Sequence, residues 1–342
     1  MNLKQDIINY SKFIGIDRIG FATADPFLEE REILQERKAK GLISPFEEQN
    51  IELRCNPRKL MSEAKTIICF AMGYLLATSD IVETHDPIGE TNLKGKFSRY
   101  AVVTDYHHVL ANKLKAIVRY IVSKYDGNFQ IYIDTGSLID KAAAQRAGIG
   151  WIGENTCLFT PELGSWVFLG EILTDIEIEP DEPMKPRCDH CGKCIRACPT
   201  GALIAPYTIN PFRCLSYITQ MRGIIPEEFI IPLGNRLFGC DTCQDACPKN
   251  RDVKIPRHEE FVLAGAIETN LQKLIRMDNA KFNAMFKSIA AGWRGKNIIR
   301  RNAVCALNNI GGKDAIELLN EAANDPSEVV RRQALMILKD QF

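Results

Sequence analysis

Cys188-Asp189-His190-Cys191-Gly192-Lys193-Cys194-Ile195-Arg196-Ala197-Cys198-Pro199 spaces its cysteines as C-x-x-C-x-x-C-x-x-x-C-P. Three thiolates at two-residue gaps can cap one [4Fe-4S] cube while the next cysteine reaches a second cube. Downstream, Cys240-x-x-Cys243-x-x-x-Cys247-Pro248 repeats the run without its leading cysteine, which Cys214 can supply from upstream. The crossing rule then assigns Cys188, Cys191, Cys194 and Cys247 to one cluster, and Cys198, Cys214, Cys240 and Cys243 to the other. Structural zinc is the competing reading, but zinc favours separate sites built on paired C-x-x-C knuckles. Paired cubes imply single-electron transport, so another part of the chain must receive the electrons.

Outward from this module, the chain is long enough for two or three domains: 342 residues, 46% hydrophobic and 25% charged. Lys plus Arg (43) balance Asp plus Glu (43), so no global field marks a nucleic-acid binder, and only a local patch could serve. The longest apolar run, Ile67 to Ala77, is too short for the roughly 20 residues of a membrane-spanning helix. Met1 to Tyr10 lacks the layout of a secretory signal, so the expected setting is the cytoplasm, where thiols stay reduced. Cys55, Cys69, Cys157 and Cys305 fall outside the cluster runs and receive no role.

Residues 1–180 mix strand-like runs (Thr66 to Met72, Phe129 to Ile133, Trp166 to Leu173) with an amphipathic helix over His108 to Lys124. This predicts an α+β or α/β domain, followed by the cluster module over 181–250. The remainder, 251–342, reads as helical. There Ile298-Ile299-Arg300-Arg301-Asn302-Ala303 matches Val329-Val330-Arg331-Arg332-Gln333-Ala334 at a shift of 31 residues, as in a short HEAT-like solenoid.

Gly148-Ile149-Gly150-Trp151-Ile152-Gly153 satisfies G-x-G-x-x-G, but it follows a helical stretch and not a strand, so the dinucleotide reading fails on context. Asp105-Tyr106-His107 begins like the D-x-H-x-x-G segment of some cobalamin proteins, yet Leu110 stands where glycine belongs. Ile131-Tyr132-Ile133-Asp134-Thr135-Gly136 reads as a strand ending in an acid and a turn. Strand ends hold the active sites of open sheets, which makes Asp134 the best-placed acid; the competing role is a helix cap.

Three blocks together resemble the epoxyqueuosine reductases, cobalamin-dependent iron-sulfur enzymes of tRNA queuosine biosynthesis. They are Ser98-Arg99-Tyr100-Ala101 with Asp105-Tyr106-His107; Asp134-Thr135-Gly136 through Gly150-Trp151-Ile152-Gly153-Glu154-Asn155-Thr156 to Gly164-Ser165-Trp166; and the cysteine region, including Cys198-Pro199-Thr200-Gly201-Ala202-Leu203, Arg213-Cys214-Leu215-Ser216-Tyr217 and Gly239-Cys240-Asp241-Thr242-Cys243-Gln244. The resemblance spans essentially the whole chain. It departs at Ser137, where the family usually has proline, and at Pro248-Lys249-Asn250, which replaces a common Pro-Trp-Asn.

The resemblance implies reduction of the epoxide of epoxyqueuosine, at the wobble position of tRNA, to queuosine by cob(I)alamin that two [4Fe-4S] clusters supply with electrons. It implies a base-off cobalamin and Asp134 as proton donor. Such a donor calls for a pKa raised toward 7, which the apolar face of the corrin would supply by desolvation, hence a poorly solvated Asp134. Further cobalamin candidates are Phe97, His107, Lys141, Ser216, Asp241 and Thr242. An external flavodoxin- or ferredoxin-like donor and a monomeric chain complete the expectation.

For the RNA, Lys273 to Arg301 holds eight basic residues against Asp278, a local charge of +7. Lys281, Arg294, Lys296, Arg300 and Arg301 are the phosphate candidates, with Trp293 as a stacking surface and Arg222 as a bridge to the cleft. The alternatives are a reductive dehalogenase-like enzyme acting on a small molecule, and a ferredoxin-type electron carrier. A basic helical tail has no use in the first, and some 180 residues of catalytic domain have none in the second.

Overall fold

The computed structural model describes residues 2–77, 92–262 and 267–339. The strands that position the site are β1 (Arg18–Thr23), β2 (Thr66–Gly73), β3 (Lys94–Phe97), β4 (Phe129–Tyr132), β5 (Val167–Thr174), β6 (Arg236–Phe238) and β7 (Glu268–Asn270). The principal sheet has the order β1-β2-β5-β4, with every ladder antiparallel. Of the two fold classes expected, α+β is therefore the one observed for this sheet.

β2 is buried along its whole length because both faces of the sheet are covered. On one face, helix α1 (Tyr106–Val122) lays down Val109, Leu110, Leu114, Ile117 and Ile121 at helical spacing against Phe70, Phe168 and Ile172. On the other, the short helix α2 (Asp140–Arg146) packs Ala142, Ala143 and Ala144 near Cys69, Ala71 and Leu173. The G-x-G-x-x-G stretch follows α2 and leads into a small hairpin, Trp151–Ile152 with Leu158–Phe159. A Cβ at Gly150 would stand 2.0 Å from the Phe159 carbonyl, so this glycine serves backbone packing, not phosphate binding.

A second sheet, β6-β3-β7, draws one strand from each of the three segments expected from the sequence. Its core runs from Leu93 and Phe97 through Leu215 and Leu237 to Ile299, Leu319 and Ile337. The tail contributes helices α3 (Lys296–Ile310), α4 (Lys313–Ala322) and α5 (Glu328–Lys339), and the matched hexapeptides fall on α3 and α5. The repeat carries a shared device, a buried amide that holds backbone of the preceding segment. Asn302 Nδ2 donates to the carbonyls of Thr219 and Leu237 at 2.7 Å each, and Gln333 bonds both the N–H and the carbonyl of Ile225.

Two of the expected phosphate contacts are overturned here. Arg301 is fully buried and donates to the carbonyls of Met221, Gly223, Ile218 and Thr219, while the buried Arg300 pairs with Asp325 and donates to the Ile275 carbonyl. Guanidiniums spent on interior carbonyls cannot reach a phosphate. Arg276 is likewise paired, with Glu321 at 2.7 Å. The local excess of charge in the sequence thus overstates what the surface offers. Among the described residues no helix is long and apolar enough to cross a membrane.

Candidate functional site

Cys188, Cys191, Cys194 and Cys247 line one small cavity together with Trp151, Gly153 and Glu154. This is the first cysteine set expected from spacing, including the crossover from Cys247. The loop turns tightly because His190 and Gly192 are both left-handed, with φ of 50° and 62°. In the second set, burial pushes the Cys214 thiol up to about 11, and Cys240 and Cys198 add to the rise by their charge. At Cys198 burial is outweighed by the N–H groups of Leu203, Thr200 and Ala202, which hold the thiol below its ordinary value, as a thiolate ligand requires. All-thiolate donor sets of this kind fit iron-sulfur cubes. Cys157 received no role from the sequence; it shares a hydrogen bond with Cys243, raising the Cys243 thiol and lowering its own.

A cleft of about 1230 Å³ lies beside the second set, and its lining includes Tyr217, three residues after Cys214, and Phe238, two before Cys240. Common small-molecule sites occupy roughly 300–1,000 Å³. Asp105, Tyr106, His107 and Asp134 also line the cleft. Asp105 caps α1 by accepting from the His107 N–H at 3.0 Å, and its Oδ1 lies 2.7 Å from His107 Nδ1. That contact sets the ring, whose Nε2 stands 3.5 Å from Asp134 Oδ2. Tyr106 donates its hydroxyl to the same Asp134 oxygen at 2.6 Å, and its ring stacks between His107 and Phe168.

Asp134 leaves β4 with φ 49°, a left-handed conformation rare outside glycine, and the Thr135 N–H donates across it to the Ile133 carbonyl. Its side chain keeps 60% of its surface accessible. The expected upward pKa shift is not found in the open cleft. The His107 imidazole 3.5 Å away, ahead of opposing burial and helped by the Tyr106 hydroxyl, holds the Asp134 carboxyl below its ordinary value. His107 is correspondingly pushed up to about 9, by Asp105 first and Asp134 second. The pair therefore carries one proton at neutral pH, and the sequence had credited that proton to the carboxyl alone.

Phe97 is corrected: it is buried in the second core against Phe286 and does not line the cleft. Ser216, Asp241 and Thr242 do not line the cleft, and of the three Ser216 is the one bonded to lining residues. Ser216 bonds the Tyr100 hydroxyl, and Asp241 accepts from Ser98, the Arg99 N–H at 2.9 Å and the Arg99 guanidinium at 3.2 Å. Thr242 accepts from Arg236 at 2.8 Å and from the Cys240 thiol at 3.3 Å. Lys141 donates to the Thr156 carbonyl at 2.7 Å and reaches Asp134 only through its charge.

Arg222 and Arg294 line the cleft, together with Phe46, Tyr217, Gln220 and Trp293. Arg294 lies 4.2 Å from the Trp293 ring centroid and 4.8 Å from that of Phe46, and Trp293 is 57% exposed. This is a cationic, aromatic rim suited to a nucleobase. Lys281 is exposed and Lys296 half-buried on the neighbouring surface. Phe46, Tyr100, Tyr106 and Tyr217 were missed as lining. The three tyrosines lay inside the quoted family blocks, whereas nothing near Phe46 in the sequence singled it out.

Residues 187–250 match the 4Fe-4S double cluster binding domain, and residues 54–135 match the family described as epoxyqueuosine reductase QueG, DUF1730. The epoxyqueuosine reductase of Bacillus subtilis (strain 168) is 42% identical over 337 residues, 97% of this chain and 86% of the relative. That of Staphylococcus aureus is 39% identical over 334 residues, 97% and 87%. Among solved structures, an epoxyqueuosine reductase with a tRNA-Tyr epoxyqueuosine-modified stem loop is 38% identical, with a TM-score of 0.91 over 98% of this chain and 89% of that one. A Bacillus subtilis epoxyqueuosine reductase whose catalytic loop is swung out of the active site is 38% identical, with a TM-score of 0.90 over the same shares.

Proposed function

The chain belongs to the epoxyqueuosine reductase family, and we propose that it carries out the family's reaction with a base-off cobalamin in the cleft beside Asp134. It is an oxidoreductase that reduces the epoxide of epoxyqueuosine in tRNA to the alkene of queuosine, a change that consumes two electrons and two protons and releases water. The observation that carries the reading is the meeting, on one cleft, of a proton-bearing His107–Asp134 pair with the flank of the Cys198, Cys214, Cys240 and Cys243 set. The readings as a small-molecule dehalogenase and as a bare electron carrier give way to it.

The cleft fits a macrocycle. It exceeds common ligand pockets, and Tyr100, Tyr106, Tyr217 and Phe238 give it broad aromatic walls. When bound, cobalamin supplies reducing power at a metal centre, fed by one-electron cluster chemistry. The two cysteine sets hold the clusters. Asp134 and His107 hold the proton destined for the epoxide oxygen, and Tyr106 fixes the carboxyl that delivers it. Phe46, Trp293 and Arg294 receive the wobble base by stacking, with Arg222, Lys281 and Lys296 toward the backbone phosphates.

In this reading, 1–180 supply the catalytic walls, 181–250 the ferredoxin-like relay, and the HEAT-like 251–342 the RNA face. The chain works as a cytoplasmic monomer and draws electrons from a flavodoxin- or ferredoxin-like donor. Titration with cobalamin, followed by its visible spectrum, is the test. One equivalent bound per chain in the base-off form supports the reading, and no uptake contradicts it.

A further inference from the structure

Glu171 lies in β5 on the α2-facing side of the sheet, between Leu169 and Leu173. Its register partners are Cys69 on β2 and Tyr132 on β4. The residue is fully buried, and neither carboxylate oxygen has a hydrogen-bond partner among the described residues. Asp140, the first residue of α2, faces the same region with its Oδ1 likewise buried and unpartnered. Asp134 lies in the loop that joins β4 to α2.

The surrounding charges do not neutralise Glu171. Lys141 is spent on the Thr156 carbonyl, Arg54 pairs with Glu47 at 2.9 Å, and Arg146 donates to the Asp25 carbonyl at 2.6 Å. Cys69 and Tyr132, from the flanking strands, offer no cation, and Asp134 and Asp140 add only like charge. Burial of a carboxylate with no cation and no donor strongly favours its neutral form, so Glu171 keeps its proton. Burial, then the Asp134 charge, pushes Asp140 up to about 7.

Epoxide reduction consumes two protons, and the His107–Asp134 pair holds one. We propose that Asp140 and Glu171 form an internal proton store behind Asp134 and supply it with the second. This rests on Asp134 as the donor in the proposed function. One O–H bond breaks at Asp140 and one forms at the Asp134 carboxylate. Glu171 retains its proton and turns its O–H toward the new Asp140 carboxylate, which stabilises that charge. Solvent returns the proton through the cleft once product has left, and no electrons move in this step.

The test uses the cluster- and cobalamin-loaded enzyme with epoxyqueuosine-bearing stem loop. In the wild type, kcat falls in two steps, near pH 7 as Asp140 ionises and near pH 9 as His107 does. Asp140→Asn lowers kcat by roughly ten- to hundredfold, short of the ~10²–10⁴ a general acid supplies, leaves KM unchanged and removes the step near 7. Glu171→Met lowers kcat in the same way, whereas Glu171→Gln, which keeps a donor, stays near the wild-type rate.

Infrared difference spectra read the store without turnover. The wild type at neutral pH shows two protonated-carboxyl bands that shift in deuterium oxide; Glu171→Gln loses the band that does not titrate, and Asp140→Asn loses the one that does. An unchanged pH profile in Asp140→Asn, or no such band at neutral pH, overturns the proposal, even should Glu171→Met fail to fold. Turnover surviving Asp134→Asn would instead overturn the reading on which it rests.

Discussion

His107 Nε2 stands 3.5 Å from Asp134 Oδ2, while its Nδ1 is 2.7 Å from Asp105 Oδ1, so one imidazole is held between two carboxylates. This raises His107 to about 9 and lowers Asp134 and Asp105. Because the folded-state pKa of His107 lies above its ordinary 6.5, the stability it contributes is full below that value and is lost as pH rises through about 9. The two aspartates act in the opposite sense: their contribution is present above the ordinary 3.8 and is lost as pH falls through the depressed values.

His107→Ala is expected to abolish the alkaline step in kcat near pH 9 and to lower kcat by about 10²-fold, with the cluster absorption unchanged. A profile that keeps that step would assign it to another group.

The crossover of Cys247 predicts a pattern of iron loss. Cys188→Ala and Cys247→Ala each remove about four irons, and so does their combination, because both serve one cube. Combining Cys247→Ala with Cys240→Ala removes about eight. Iron analysis after anaerobic reconstitution distinguishes this from ligation by sequence neighbours.

Arg301 and Arg222 separate structure from binding. Arg301→Ala leaves the carbonyls of Ile218, Thr219, Met221 and Gly223 without their donor and should cost about 3–5 kcal/mol of stability, read as a lowered denaturation midpoint. Arg222→Ala should leave that midpoint in place, weaken stem-loop binding and reduce the salt slope by about 1. Equal denaturation midpoints for the two variants would contradict the assignment.

Phe46→Ala and Trp293→Ala should each weaken stem-loop binding by roughly 1–3 kcal/mol while sparing cobalamin uptake. Binding equal to wild type in both would remove the rim from the RNA site.

Cysteine spacing anticipated that Cys188, Cys191, Cys194 and Cys247 would share one cavity, and apolar runs revealed β2 and β5, which are buried along most of their length, and α1, which buries one face; β4 showed through its apolar residues although it stays half-buried. What stayed hidden depended on long-range meetings. The charge of Arg300 and Arg301 reads the same whether it points to solvent or to interior carbonyls, and only the packing of α3 on Ile218 to Gly223 decides. Phe97 gave no sign that β3 would be the middle strand of a second sheet. The lowering of Asp134 in the open cleft stayed hidden because His107, 27 positions earlier, meets it only once α1 has docked on the sheet.

Conversion of epoxyqueuosine-bearing tRNA by the anaerobically reconstituted chain, read by mass spectrometry of the nucleosides, tests the central claim most directly. The account predicts queuosine only when cobalamin and a reductant are both present, and a loss of about 10²–10⁴-fold in Asp134→Asn with both clusters intact. Queuosine formed without cobalamin, or at the wild-type rate by Asp134→Asn, would contradict it.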